Sequence, residues 1–359
     1  MGKWDHLKTF RVVRLNARVL SIHPAEAAMY RCYDFWPTEV EAHTPEEILS
    51  HVADCDALFV VSAALPKPVI EGLQKCRLIS RLGTGTDKID VATATRRGIL
   101  VSNVPYFCVE EMADHALGML IALARKFPQM SRDMFAGSYR RARREGILTR
   151  RLSGRTLGIV GFGASGKALA RRARACGLNV LATRKNLGAP RDEADAMDVE
   201  MTDLDALLRR SDFVSLHMPL NAETYRLLDE AALRRMKPGA CLINTSRGAL
   251  VDEQALARFL REGHLAGAGL DTFGDIDIFA PEESPPHHPL VGLDNVILTP
   301  HVSGLSVESL EDSARTGVGN MIAVLSGHLP PVENIVNKGV VPWCPLKAYE
   351  PGLLEDDRA

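Results

Sequence analysis

Residues 157–166 read LGIVGFGASG, and this stretch determines the fold that the sequence predicts. A short run of apolar, β-favouring residues leads directly into Gly161, Gly163 and Gly166, which have G-x-G-x-x-G spacing. Gly161 allows a sharp turn out of a strand, Gly163 lets a pyrophosphate approach the backbone, and Gly166 lets the next helix pack close to the sheet. The stretch therefore predicts a strand, a tight turn and a helix that together bind a dinucleotide.

Two other interpretations of these glycines stay open at this level. The turn can be glycine-rich without binding a ligand, or residues 161–167 can form a P-loop, because they also read G-x-x-x-x-G-K. Ala168 disfavours the P-loop, which needs Ser or Thr after its lysine to hold magnesium. In the dinucleotide interpretation, the backbone N–H groups of Ala164 and Ser165 begin the helix and face the phosphates.

The end of the second predicted strand, residues 178–183, indicates which dinucleotide binds. A fold that is selective for NAD usually has an acidic residue there, which accepts a hydrogen bond from the ribose 2′-hydroxyl. This strand ends in Thr183, Arg184 and Lys185, and no acid follows before Asp192. Two cations and a hydroxyl suit a 2′-phosphate, which a carboxylate would repel. We therefore predict NADP(H) in preference to NAD(H); the alternative is that the two cations only cap an exposed strand end.

The length and charge of the chain suit a globular protein of two domains. It has 359 residues, of which 46% are hydrophobic and 25% charged, and its formal net charge is −2. This balance does not point to nucleic acid or to a membrane as a partner. Residues 140–155 are rich in arginine, but aromatic residues do not interleave with them usefully. We interpret this run as a solvated connector and not as a nucleic-acid patch.

The cysteines and the N-terminal residues predict a cytoplasmic protein without a metal site. Seven cysteines are scattered along the chain with no C-x-x-C pair, so we expect reduced core residues and neither a disulfide framework nor a zinc site. Residues 1–10 contain no apolar segment typical of a secretory signal. The longest apolar stretch, residues 117–124, is far too short to span a bilayer.

Strands and helices alternate on both sides of the glycine motif, which predicts α/β architecture with parallel sheets. Three predicted strands end in the polar residues Arg247, Asp271 and His301. Because ligands bind at the carboxyl ends of strands in an open parallel sheet, these side chains would converge on the dinucleotide. Earlier in the chain, residues 83–87 predict either a bend whose N–H groups face a small anion or a plain turn. We interpret His115, in the strongest predicted helix, as a packed histidine and not as a ligand.

Seven stretches carry a resemblance to a known family. They are RLGTGTDKID (81–90), MADHAL (112–117), LGIVGFGASG (157–166), SDFVSLHMPLNAET (211–224), MKPGACLINTSRGALVD (236–252), GAGLDTF (267–273) and NVILTPHVSG (295–304). Together they resemble the D-isomer-specific 2-hydroxyacid dehydrogenases, which include phosphoglycerate dehydrogenases, glyoxylate/hydroxypyruvate reductases and the C-terminal binding proteins. The stretches span nearly the whole chain in the family's order, so the resemblance is more specific than the glycine motif alone.

The resemblance implies two α/β domains with doubly wound parallel sheets. A Rossmann dinucleotide-binding domain, residues 106–303, would be inserted into a flavodoxin-like substrate domain made of residues 1–105 and 304–335. Residues 336–359 would form a loosely structured C-terminal tail. The resemblance further implies that the substrate lies in the cleft and that the protein is a homodimer joined through its cofactor domains.

The implied reaction is hydride transfer between NAD(P)H and a small 2-oxo or D-2-hydroxy acid. Arg247 would hold the substrate carboxylate and polarise the ketone, and His301 would protonate the oxygen. The backbone around Thr84 and Gly85 would also receive the carboxylate, and Asp271 would flank the nicotinamide. Further residues implied at the cofactor are His217, Pro219, Thr224 and Thr245.

The sequence departs from the family at the carboxylate that should orient the imidazole of His301 and favour its charged form. The usual position of that glutamate is Ile276 here, and the loop around it is enlarged. Counting back from His301 favours Glu282 instead. The alternatives are Glu283, Asp275 and Asp277.

Three functions are consistent with these residues. The favoured one is a glyoxylate/hydroxypyruvate-type reductase that prefers NADP. A dinucleotide-sensing binding protein of the C-terminal binding protein type is the second, because the displaced glutamate suits a protein that does not need catalysis. The third is an NAD-dependent phosphoglycerate dehydrogenase.

Overall fold

The computed structural model describes residues 4–274, 276, 278–279 and 287–353. The chain folds as two units, of which the first comprises Met1–Phe107 and Ser306–Ala359 and the second comprises Cys108–Leu305. In chain order, the elements before the second unit are β1 (Val12–Leu15), α1 (Pro24–Cys32), β2 (Thr38–Val40), α2 (Pro45–Val52), β3 (Ala57–Val60), α3 (Lys67–Gly72), β4 (Leu78–Arg81), α4 (Val91–Arg96) and β5 (Leu100–Ser102).

The first unit contains a five-stranded parallel sheet with the order β2-β1-β3-β4-β5. Every residue of β1 and β3 is buried, as is usual for parallel strands that helices cover on both faces. Arg14, in β1, is fully buried, and it is stabilised because it donates to Glu26 of α1 at 3.2 Å and to the carbonyl of Leu20 at 2.6 Å.

The second unit carries the glycine motif. Its elements are α5 (Val109–Ala124), α6 (Phe127–Phe135), α7 (Tyr139–Ile147), β6 (Thr156–Val160), α8 (Ala164–Ala175), β7 (Asn179–Thr183), α9 (Asp192–Ala196), β8 (Val199–Met201), α10 (Leu204–Arg210), β9 (Phe213–Leu216), α11 (Glu230–Arg235), β10 (Ala240–Asn244), α12 (Glu253–Arg261), β11 (Leu265–Leu270) and β12 (Val296–Leu298). Helix α13 (Val307–Leu325) then returns the chain to the first unit.

The sheet of the second unit has seven parallel strands in the order β12-β11-β10-β9-β6-β7-β8. The chain leaves β6 toward β7 and β8 on one side, and then returns to β9 on the other side of β6. This reversal creates a crevice at the carboxyl ends of β6 and β9, which is where ligands bind in such sheets. Two parallel-sheet α/β units are thus present, and the predicted fold class is confirmed.

Small residues in β11 allow α5 to pack close to the sheet. A Cβ atom at Gly269 would lie 2.9 Å from the sulfur of Met119, and one at Gly267 would lie 3.0 Å from a methyl carbon of Leu123. The GAGLD sequence of this strand therefore brings α5, and with it His115, close to the carboxyl ends of β11 and β12.

Three sequence expectations differ from the structure. Part of the predicted connector is helix α7, in which Arg141 pairs with Asp133 of α6. The segment after Val336 was expected to be loose, but Asn337 accepts from the amide of Val101 at 2.9 Å and Trp343 donates to the carbonyl of Cys76 at 2.8 Å. All seven cysteines are free, as expected. The prediction that they lie in the core was wrong for two of them, because Cys32 is exposed and Cys176 is half-buried.

Across the part of the chain that the structure describes, no helix is both long enough and apolar enough to cross a membrane.

Candidate active site

The glycine turn between β6 and α8 has two glycines that the protein's own packing requires and one that it does not. Gly161 has φ +103°, and a Cβ atom there would overlap the carbonyl of His217. A Cβ atom at Gly166 would overlap the carbonyl of Gly161. At Gly163, the residue before α8, a Cβ atom would meet no atom of the described residues within 4 Å. The space above Gly163 is therefore free for a ligand, which fits a dinucleotide cradle.

His217 lies at the carboxyl end of β9 and connects the two sides of the crevice. Its Nδ1 is 3.2 Å from the hydroxyl of Ser165 in α8, and its Nε2 is 2.9 Å from the hydroxyl of Ser215. Burial lowers the pKa of His217 to about 4. The imidazole is therefore neutral at neutral pH, and it fixes the start of α8 relative to β9.

The cations after β7 lie where the sequence predicts the adenosine ribose. Arg184 donates from Nη2 to the carbonyls of Ala189 and Pro190, at 2.5 and 2.7 Å, and its buried Nε has no partner among the described residues. Lys185 is 82% exposed at its side chain and pairs with Glu223. Arg184 is thus held by the loop that follows it, whereas Lys185 is free to reorient toward a ligand.

The remaining predicted cofactor residues differ in whether their hydroxyl groups have hydrogen-bond partners within the protein. The hydroxyl of Thr224 donates to the carbonyl of Pro219 at 2.8 Å, so it closes a turn of the protein itself. The hydroxyl of Thr245, at the end of β10, is buried and has no partner in the described part of the chain. The hydroxyl of Thr272, after β11, is likewise buried without a partner in the described part of the chain, and the sequence analysis did not identify it as a site residue.

Arg247 follows β10 and is held in an extended conformation by its neighbours. Its Nη1 donates to the carbonyl of Ser246 at 2.8 Å, and its own carbonyl accepts from the side-chain amide of Asn244 at 2.8 Å. A Cβ atom at the next residue, Gly248, would overlap the backbone of Phe273, so this turn packs directly on the chain that leaves β11.

Asp271, at the end of β11, organises the loop that carries His301. It is fully buried, and its carboxylate accepts from the amides of Val302 and Ser303 at 2.9 and 2.8 Å. Its carbonyl accepts from the amide of His301 at 2.9 Å. His301 itself has φ +55°, an uncommon conformation for a residue with a side chain, and these hydrogen bonds hold it there.

His115 and Thr299 extend this network, and neither was predicted to belong to the site. The hydroxyl of Thr299 donates to Oδ1 of Asp271, and the Nε2 atom of His115 lies 3.0 Å from the same hydroxyl oxygen and 3.8 Å from Oδ1. The one sequence feature that could have pointed to Thr299 is its place directly after a predicted strand, in a Thr-Pro-His turn. The ring of His301 also contacts that of Phe279, with centroids 5.7 Å apart.

The structure therefore gathers the predicted residues Arg247, Asp271 and His301 at the ends of the neighbouring strands β10, β11 and β12. Thr84 lies in the first unit, where its hydroxyl donates to the carbonyl of Val104 at 3.0 Å; Gly85 is next to it in the chain. The predicted acid Glu282, like its alternatives Glu283, Asp275 and Asp277, lies outside the described residues. Within the described ranges, no group of three or more His, Cys, Asp or Glu side chains could hold a metal ion.

Comparison with known proteins points to one family. The model of the D-isomer-specific 2-hydroxyacid dehydrogenase NAD-binding domain matches residues 117–303. A glyoxylate reductase from Korarchaeum cryptofilum is 41% identical over 86% of this chain and 90% of its own. A D-3-phosphoglycerate dehydrogenase from Methanocaldococcus jannaschii is 38% identical over 87% of this chain and 57% of its own. The solved NADPH-dependent glyoxylate/hydroxypyruvate reductase from Sinorhizobium meliloti, in complex with NADP and malonate, has a TM-score of 0.76 at 28% identity, over 92% of this chain and 98% of its own.

Fold, site and relatives thus define an oxidoreductase with a dinucleotide-binding domain. The chain belongs to the D-isomer-specific 2-hydroxyacid dehydrogenase family.

Proposed function

We propose that this protein is a reductase of small 2-oxo acids of the glyoxylate or hydroxypyruvate type, with NADPH as its preferred cofactor. The observation that carries the proposal is the arrangement of Arg247 and His301 after strands β10 and β12, on either side of buried Asp271. The names of the glyoxylate reductase from Korarchaeum cryptofilum and of the Sinorhizobium meliloti reductase support the substrate class.

In this proposal each side chain has a separate task. Arg247 binds the carboxylate of the acid, because its planar fork can donate two parallel hydrogen bonds. His301 donates a proton to the carbonyl oxygen as the oxo group becomes a hydroxyl, and Glu282 keeps the imidazole charged before that step. The nicotinamide, when bound, supplies the hydride.

The dinucleotide would lie along the crevice between β6 and β9. Gly163 leaves room for the pyrophosphate, and the N-terminus of α8 at Ala164 and Ser165 offers it N–H groups. His217, Pro219, Thr224, Thr245 and Asp271 would line the nicotinamide half. Thr183, Arg184 and Lys185 would face the adenosine ribose, and a strand end that carries two cations and no acid of its own favours a 2′-phosphate.

A homodimer is part of the proposal, and the hairpin of α6 and α7 supports it. Six large apolar or aromatic side chains of this hairpin and the residue after it are exposed, and Phe135 is 91% exposed. A cluster of this kind is typical of surfaces that another protein covers. The six residues are Phe127, Met134, Phe135, Tyr139, Ile147 and Leu148. A cytoplasmic location also stays a prediction, supported by the seven free cysteines.

The test is the oxidation of NADPH and of NADH, followed by nicotinamide absorbance, with glyoxylate, hydroxypyruvate, pyruvate and 3-phosphohydroxypyruvate as substrates. We expect the highest kcat/KM with NADPH and glyoxylate or hydroxypyruvate. A preference for NADH with the phosphorylated acid would favour the phosphoglycerate dehydrogenase alternative, for which the relative from Methanocaldococcus jannaschii is the supporting observation. Tight binding of a dinucleotide without turnover of any acid would contradict the enzyme and favour a dinucleotide sensor.

A further inference from the structure

A buried acid–histidine pair lies beside the proposed catalytic residues and has no part in the chemistry described above. Glu253, the first residue of α12, is only 8% exposed, and its Oε2 lies 2.8 Å from Nε2 of His288, whose side chain is fully buried. Buried ionisable groups are costly unless they are paired and hydrogen-bonded. A pair of this kind therefore needs a structural or functional explanation.

The hydrogen bonds of His288 show which group is the donor in its contact with Glu253. Its Nδ1 accepts from the amide of Leu290 at 3.4 Å, so its hydrogen is on Nε2 and is donated to Glu253. The edge of the same imidazole meets the ring of Phe273, with centroids 5.6 Å apart and planes at 75°. His288 thus contacts both Glu253 and the chain that leaves β11.

The same carboxylate also holds the backbone next to Phe273. Both oxygens of Glu253 accept from the amide of Gly274, each at 3.1 Å. One buried side chain therefore binds the two ends of the segment between Gly274 and His288. In the sequence, this is the segment that contains the predicted acid Glu282.

The peptide that Glu253 holds is also the one on which the turn of Arg247 rests. A Cβ atom at Gly248 would overlap the carbonyl carbon of Phe273 and the amide nitrogen of Gly274, so no space separates the two backbones. A displacement of the peptide between Phe273 and Gly274 would therefore move the turn and the guanidinium of Arg247.

We propose that Glu253 and His288 are positioning residues that place Arg247 for binding the carboxylate of the substrate. This proposal rests on the proposed function, because it assigns that carboxylate to Arg247. Displacement of a binding group by about 1 Å can cost about 100-fold in rate. The effect should appear in the binding of the acid and not in the binding of the dinucleotide, since the glycine turn lies on the other side of β9 and β10.

The test compares Glu253→Gln with Asp252→Asn in the NADPH complex. Gln keeps the length of the side chain but presents an amide in place of one of the oxygens that accept from Gly274 and His288. Asp252 is the adjacent acid, which caps α12 through the amide of Ala255 at 3.0 Å without contact to either of them, and Asn can still cap. The measurements are KM for glyoxylate, Kd for the unreactive analogue oxalate by calorimetry, and Kd for NADPH.

We expect Glu253→Gln to raise the glyoxylate KM and the oxalate Kd about 10- to 100-fold, while the NADPH Kd stays within about twofold. Asp252→Asn should change none of them more than about twofold. In an Arg247→Lys background, Glu253→Gln should add little, because the geometry that it disturbs is already lost. His288→Leu should reproduce Glu253→Gln, and His288→Gln, which retains a donor, should restore part of the binding.

Equal effects of Glu253→Gln and Asp252→Asn would overturn the proposal, as would a loss of NADPH binding as large as the loss of oxalate binding. If Glu253→Gln does not fold, the oxalate Kd and the NADPH Kd of His288→Leu and His288→Gln test the proposal by the same criteria. If the wild-type protein neither reduces a 2-oxo acid nor binds oxalate, the proposed function fails first, and this proposal fails with it.

Discussion

Thr299 donates its hydroxyl hydrogen to the carboxylate of Asp271 across 2.5 Å. The same carboxylate accepts from the amides of Val302 and Ser303, so three donors from one short loop converge on one buried charge. His301 lies within this loop and adopts a left-handed conformation that costs about 1–3 kcal/mol. The hydrogen bonds to Asp271 offset that cost and hold the backbone of His301 in this conformation.

Thr299→Val removes the donor without changing the shape of the side chain, and we expect kcat to fall about tenfold while the protein stays folded. The buried carboxylate loses one of its hydrogen bonds, worth about 1–3 kcal/mol for a charged group, and the loop of His301 loosens. Thr299→Ser retains the hydroxyl and serves as the control. Steady-state rates with NADPH and glyoxylate give the comparison, and equal rates for the two variants would contradict the role of this hydrogen bond.

His217 provides a prediction about stability and pH, because burial lowers its pKa to about 4 from the ordinary value of 6.5. The unfolded chain binds a proton below about pH 6.5, whereas the folded chain binds it only below about pH 4. The neutral imidazole therefore contributes fully to stability above pH 6.5, and the contribution of about 3 kcal/mol is lost as the pH falls from 6.5 to 4.

His217→Asn should remove this dependence, since asparagine does not titrate. We expect the free energy of unfolding in urea to fall by about 2–3 kcal/mol more in the wild-type apoprotein than in His217→Asn when the pH is lowered from about 7 to about 4.5. The remaining titratable groups are the same in both proteins, so their contributions to the pH dependence cancel in this difference. Parallel pH curves would mean that His217 is already charged, or is accessible to water, in the folded protein.

The cofactor preference is testable at Lys185, which is more exposed than Arg184 and pairs with Glu223 at the surface. Lys185→Ala should raise the KM for NADPH about tenfold and leave that for NADH within about twofold, because only NADPH carries the 2′-phosphate. Arg210→Ala removes a comparable surface cation that pairs with Glu200, and it should change neither value. Equal changes for the two dinucleotides after Lys185→Ala would contradict the assignment of the 2′-phosphate to this position.

The sequence was informative where one local pattern determines one element. Strands β10, β11 and β12 are short, mostly apolar runs that are followed by polar residues, and for this reason the places of Arg247, Asp271 and His301 after strand ends were predictable. Helix α7 was missed because arginine dominates it, and its partners, such as Asp133, lie on another helix.

The contacts that organise the site depend on tertiary structure. Glu253 and His288 are 35 positions apart, and only the folded β11 and α12 bring them together. His115 was interpreted as a packed histidine, because nothing in α5 itself indicates that Thr299 lies 3.0 Å away. The local sequence placed Arg247, Asp271 and His301 at strand ends, whereas the contacts of Glu253 with His288 and of His115 with Thr299 were visible only in the structure.

A substitution at Gly163 can show whether this glycine is needed for binding the dinucleotide and not for folding. A Cβ atom at Gly163 would meet no atom within 4 Å in the part of the chain that the structure describes, and φ there is −89°, which any residue can adopt. Serine is a preferred residue before a helix, so Gly163→Ser should leave the stability of the apoprotein within about 0.5 kcal/mol. Its Cβ and hydroxyl would occupy the space of the pyrophosphate, and we expect the Kd for NADPH to rise at least about tenfold.

Gly161→Ala is the matched variant for a glycine that the fold itself requires. The residue has φ +103°, and its new Cβ would overlap the carbonyl of His217, so the apoprotein should lose about 1–3 kcal/mol of stability or more. Urea unfolding of the two variants without cofactor, together with calorimetric titration of NADPH, measures both quantities. If Gly163→Ser binds NADPH as tightly as the wild-type protein does, the phosphates do not lie over this glycine. The dinucleotide interpretation of residues 157–166 would then be wrong at its central position, even though the fold around it is correct.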